Sequence, residues 1–143
     1  MPILIKIRFA PAILVAWAAG AWAPPALADS GEGSLPASGT TFSEVVRWVG
    51  DGDGLCIGPA GQPSRWIEGR LADFYAPELH DPRGSEAKRR LERLAMGRTL
   101  VCRALSRSYD RVVATCTLGG RSLGAVLRGS DVSEGGRGRP RRS

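Results

Sequence analysis

Residues 41–57, TFSEVVRWVGDGDGLCI, decide the fold. Phe42 to Val49 is rich in valine and aromatic side chains and reads as a strand. Gly50-Asp51-Gly52-Asp53-Gly54 is a tight turn whose glycines permit positive φ. Leu55 to Ile57 is the returning strand. Pro59 to Pro63 punctuates the chain again, and Trp66 to Ala72 reads as a third strand.

Ala76-Pro77 through Gly84 is a loop. Ser85 can cap a helix there, with Glu86 in its first turn facing the positive end of the dipole. Ala87, Leu91, Leu94 and Ala95 form one apolar stripe, charged residues cover the other faces, and Gly97 ends the helix. Thr99 to Leu105 and Arg111 to Leu118 are two more strands, joined by Ser106–Asp110. Gly119-Gly120 turns the chain into a short helix, Leu123 to Leu127. The fold class is therefore mainly β with helices (α+β). Five short strands with one intervening helix suit a closed, five-stranded barrel of the OB type, and closure removes the exposed edges of so small a sheet.

This core spans residues 42–129. Residues 29–41, DSGEGSLPASGTT, are almost devoid of apolar side chains and read as a flexible leader. Residues 130–143 read as a disordered basic tail ending in Arg137, Arg139, Arg141 and Arg142. The tail is either a non-specific phosphate clamp or a solvated end, and the second is favoured because such tails are unselective.

Residues 1–28 read as a secretory signal peptide. Lys6 and Arg8 form a positive start, an apolar run follows from Phe9 to Ala23, and Ala26-Leu27-Ala28 is a small-x-small cleavage site. The run is about 15 residues, short of the roughly 20 that span a bilayer. A secreted or periplasmic location is expected, with no stable membrane anchor after cleavage.

The 143 residues leave little room for a second domain. A hydrophobic content of 43% argues against wholesale disorder. The net charge is +6, and +4 without Lys6 and Arg8. Only Lys6 and Lys88 are lysines, so arginine supplies nearly all the positive charge. Arginine is the better residue for planar contact with phosphate, although genome base composition also enriches it.

Three segments carry candidate chemistry. Asp51-Gly52-Asp53 offers two carboxylates to a hard cation, or is simply a β-turn. Arg70 and Glu78 bracket a strand end stiffened by Pro77, or form a surface ion pair. Tyr109-Asp110-Arg111 sits at a hairpin tip. His80, the only histidine, reads as an exposed loop residue.

Together these segments resemble the staphylococcal (micrococcal) nuclease, or thermonuclease, family. The shared pattern is the D-G-D turn, Arg70-Leu71 with Pro77-Glu78, Gly84-Ser85-Glu86-Ala87, and Tyr109-Asp110-Arg111. The resemblance covers residues 42–129. It implies a five-stranded OB barrel and calcium-dependent cleavage of phosphodiesters in single-stranded DNA or RNA, with a monomer expected. It implies that Arg70 and Arg111 bind the scissile phosphate, that Glu78 is the general base, that Asp53 ligates Ca2+ and that Tyr109 packs against the nucleotide. Asp51 would support the site from behind.

Four departures stand out. Tyr75 occupies the position of the family's second metal-binding aspartate, and a phenol neutral at pH 7 is a poor calcium ligand. Asp73, two residues earlier, would point to the same side of an extended chain and is a substitute ligand. Gly54 and Asp110 replace a threonine and a glycine of the pattern, and the family's C-terminal helix has no counterpart. The alternative function is a nuclease-like domain that binds nucleic acid, or a protein partner, without cutting.

Cys102 and Cys116 are equidistant from Tyr109, so a symmetric hairpin sets them opposite one another, within disulfide range. Two buried thiols would fit the same spacing, and the secretory destination favours the disulfide. Cys56 is left over as a free thiol.

Overall fold

The structure, a computed structural model, describes residues 31–135. The signal peptide and the four terminal arginines lie outside the described residues. Six strands and two helices follow in the order β1 (Thr41–Val49), β2 (Gly54–Ile57), β3 (Ile67–Leu71), α1 (Gly84–Ala95), β4 (Thr99–Ser108), β5 (Arg111–Leu118), β6 (Arg121–Ser122) and α2 (Leu123–Arg128). The strands form one mainly antiparallel sheet in the order β3-β2-β1-β4-β5-β6. One further pairing is parallel: β3 meets β5 through Gly69–Val112, Arg70–Val113 and Leu71–Ala114. The pairings of β1 to β5 thus close into a ring, and the fold is α+β.

Alternation along β4 and β5 sends Leu100, Cys102 and Ala104, then Val112, Ala114 and Cys116, into the core. Val46, Leu55, Ile57, Leu71 and Phe74 join them. Helix α1 adds Ala87, Leu91 and Ala95, spaced four apart on one face, and α2 adds Leu123 and Leu127. Gly97, with φ 73°, ends α1 and donates its N–H to the carbonyl of Val46 at 3.0 Å.

Three local expectations are corrected. Helix α1 starts at Gly84, not after a Ser85 cap. A Cβ on Gly84 would lie 1.9 Å from the carbonyl oxygen of Glu78, so this helix end can abut the Glu78 loop only with glycine there. The loop between β4 and β5 is Tyr109-Asp110 alone, because β4 continues to Ser108 past a bulge between Ala104 and Ser106. The leader is not detached: Glu32 bridges Ile67, Gly33 N–H donates to the Trp66 carbonyl at 2.8 Å, and Leu35 packs on the core. Strand β5 covers only Gly69–Leu71 of β3, so the start of β3 keeps an open edge that polar backbone can satisfy. No helix among the described residues is long and apolar enough to cross a membrane.

Cys102 and Cys116 face each other in the β4–β5 ladder with Cα atoms 4.1 Å apart and form a disulfide; Cys56 is a buried free thiol.

Candidate active site

The turn between β1 and β2 is organised by Asp51, whose Oδ1 accepts the N–H groups of Asp53 at 3.0 Å and Gly54 at 2.5 Å. None of the glycines of this turn uses the positive φ that glycine permits. Gly52 is there for space: a Cβ would lie 2.4 Å from that of Ala76 and 2.6 Å from that of Ala87. The turn is therefore wedged between α1 and the loop after β3.

That wedge buries Asp53 to 3% exposure. Its Oδ2 accepts the Ala76 N–H at 3.0 Å and lies 3.4 Å from Arg70 Nη2. Burial, helped by the neighbouring Asp51 carboxylate, pushes the Asp53 carboxyl up to about 7, and Arg70 and the Ala76 N–H oppose that rise without cancelling it. Desolvation wins because the ion pair is long and single.

The parallel pairing sets Arg70 on β3 opposite Val113, with Arg111 two residues earlier on β5. Both arginines alternate with core residues and so share the outer face. Arg111 Nε lies 3.9 Å from Glu68, two residues before Arg70 on the same face of β3. Glu78 lies in the loop before α1, its N–H donated to Asp81 Oδ2 at 3.1 Å and its carbonyl accepting the Asp81 N–H at 2.8 Å. Tyr109 projects from the hairpin tip, 97% exposed and with φ 58°, a left-handed conformation rare for tyrosine.

Asp51, Asp53, Arg70, Ala76, Pro77, Glu78, Tyr109 and Arg111 line one cleft of about 570 Å3. Six of the seven site residues read from the sequence therefore meet. Asp73 does not: its Oδ2 accepts the Ser122 hydroxyl at 2.6 Å, and Gly124 of α2 packs against its carboxyl group. Strand β3 ends at Leu71, so the alternation that would carry Asp73 toward Asp53 stops short of it. Asp110 is exposed and does not line the cleft, and His80 is exposed beside Asp81.

Sequence reasoning missed two participants. Glu68 was visible only as a carboxylate two residues from Arg70 on a strand. The Ala76 N–H leaves no trace in side-chain identity. As a chemical device the cleft offers two guanidiniums and three carboxylates with different surroundings. Asp51 and Asp53 are oxygen ligands of the kind a hard cation takes, but calcium takes about 6–8 oxygens. Among the described residues no group of three or more His, Cys, Asp or Glu is arranged to hold a metal. No protein-family model and no curated protein matches the chain.

Proposed function

We propose that the chain is a thermonuclease-like phosphodiesterase with a closed OB barrel, acting on single-stranded DNA or RNA outside the cytoplasm with calcium. The observation that carries this reading is the meeting of Asp51, Asp53, Arg70, Glu78, Tyr109 and Arg111, from separate segments, in one cleft. The ring of five strand pairings with a single parallel link is the connectivity such a barrel requires.

Phosphodiester cleavage builds negative charge on the phosphoryl oxygens. Arg70 and Arg111 stabilise it with planar N–H forks already oriented by Asp53 and Glu68. Glu78 takes the proton of the attacking water. Exposed Tyr109 offers a ring for a base to stack on. Calcium, held weakly by Asp53 and Asp51, would polarise the phosphate; no step of the chemistry assigned to the residues requires more of it.

The second reading, a nuclease-like domain that binds without cutting, is favoured by one observation. Asp73 is committed to α2, and residue 75 is a tyrosine, so the stretch between β3 and Glu78 adds no carboxylate to the cleft. An assay on single-stranded DNA and RNA, with calcium and with chelator, separates the two. Cleavage that chelator abolishes, and that Arg70→Ala or Glu78→Gln lowers at least about 100-fold, is the expected result. A folded wild type that binds but cuts in none of calcium, manganese or magnesium would leave the binding reading standing.

A further inference from the structure

The loop from Ala72 to Arg83 carries Ala76, Pro77 and Glu78 into the cleft. Its distal half is tied locally. Glu78 and Asp81 exchange hydrogen bonds, and the Gly84 N–H donates to the Asp81 carbonyl at 2.9 Å. The half from Asp73 to Pro77 has no such turn of its own. It is held instead from the C-terminal side.

After α2 the chain reverses at Asp131, which has φ 63°, and Val132 packs against the core. Ser133 Oγ accepts from Arg83 Nη1, at the far end of the loop. Glu134 Oε1 accepts the Tyr75 N–H at 3.4 Å and pairs with Arg128 Nη1 at 3.5 Å. Arg128 Nη1 also donates to the Asp73 carbonyl. The Gly135 N–H donates to the Tyr75 carbonyl at 3.0 Å. Residues 131–135 thus span the loop, and both backbone polar groups of Tyr75 are satisfied by them. The next residue, Ala76, gives its N–H to buried Asp53 at 3.0 Å.

We infer that residues 131–135 are a positioning strap: by holding the Tyr75 backbone they keep the Ala76 N–H on Asp53 and Glu78 in the cleft. The sequence reading took this segment for the start of an unstructured tail, because only Val132 in it is apolar. Its hold is by hydrogen bonds and one ion pair, which need no apolar pattern. Groups that act on a reacting centre must be held to within about 0.5 Å, and the half from Asp73 to Pro77, which has no turn of its own, cannot do this alone. The effect on rate rests on the nuclease reading; the effect on loop order does not.

The test uses the full chain with Glu134→Ala, which removes the acceptor for Tyr75 and the partner of Arg128, and Glu134→Gln, which keeps an acceptor oxygen. Amide exchange is followed at Ala76 and, as a core reference, at Ala104. Glu134→Ala is expected to speed exchange at Ala76 at least about tenfold with Ala104 unchanged. It is expected to lower kcat by about tenfold with KM unchanged, the mark of misplacement without lost binding. Glu134→Gln restores both. Unchanged exchange at Ala76 in Glu134→Ala overturns the strap. Faster exchange with an unchanged kcat overturns its positioning role. A wild type that does not cut refutes the nuclease reading, and the exchange measurement then decides the strap by itself.

Discussion

Asp53 and Asp73 are twenty positions apart, and each lies just beyond an end of the antiparallel β2–β3 pair, yet they do opposite work. Asp53 is sealed under a glycine wedge beside another carboxylate, with one long ion pair to Arg70. Asp73 supports a helix: its Oδ2 takes the Ser122 hydroxyl, which frees the Ser122 oxygen to cap α2 by accepting the Ala125 N–H at 3.1 Å. One carboxylate is kept poorly compensated in a cleft, within reach of Arg70 and open to a cation. The other is spent on architecture. Proximity in sequence to a signature residue says little; what an aspartate does is set by the group across from it.

The largest expected consequence is a pH dependence of stability that comes from Asp53. Its carboxyl titrates near 7 in the folded chain against an ordinary 3.8, so between those values the folded state holds a proton that the unfolded state has released. Stability from this group is therefore fully present below about pH 4, falls as pH rises through 7, and is flat above. Asp53→Asn removes the effect, and at pH 8 should be more stable than wild type by about 2–4 kcal/mol, with the difference vanishing near pH 4. Urea melts at both pH values measure it. A constant difference across the range would mean that Asp53 is ionised throughout and that its contrast with Asp73 is only one of position.

Residue 75 lies between the two regions, so changing it asks which one it belongs to. Tyr75→Asp adds a carboxylate next to Ala76 and is expected to raise calcium affinity about tenfold, roughly 1.4 kcal/mol. Titration calorimetry reads this directly. No gain would align residue 75 with Asp73 and the strap rather than with the cleft.

These differences also mark how far sequence could go. Strand and helix periodicity led to α+β, and the D-G-D, Arg70 and Glu78 segments were legible only together, since each taken singly reads as an ordinary turn or a surface ion pair. The Cys102–Cys116 pairing was legible through symmetry about Tyr109. It survives because the bulge after Ala104 offsets a turn that is centred half a residue later. The D-G-D glycine, Gly52, was the right residue for a different reason, since crowding by Ala76 and Ala87 is a tertiary fact. Asp73 was misplaced because alternation was extended past the point where β3 stops. The leader and the strap escaped notice for one shared reason. Both attach mainly through backbone and polar groups, whose partners no hydrophobic pattern encodes.

The smallest effect should come from Asp73, and its size tests the division most sharply. Asp73→Ala loses the Ser122 hydrogen bond to a charged acceptor, a cost of about 1.5–3 kcal/mol taken alone. It also removes Oδ1, which is buried without a hydrogen-bond partner, and so recovers part of that cost. A net destabilisation of about 1 kcal/mol follows, and Ser122→Ala in the same background should add less than it does in wild type, because the two groups share one hydrogen bond. Calcium affinity and cleavage should stay within about twofold, since neither Asp73 nor Ser122 lines the cleft. A fall in calcium affinity without loss of stability would return Asp73 to the metal site. It would also require the loop after β3 to leave α2 on binding, against the ties that Arg128 and Ser122 make to Asp73.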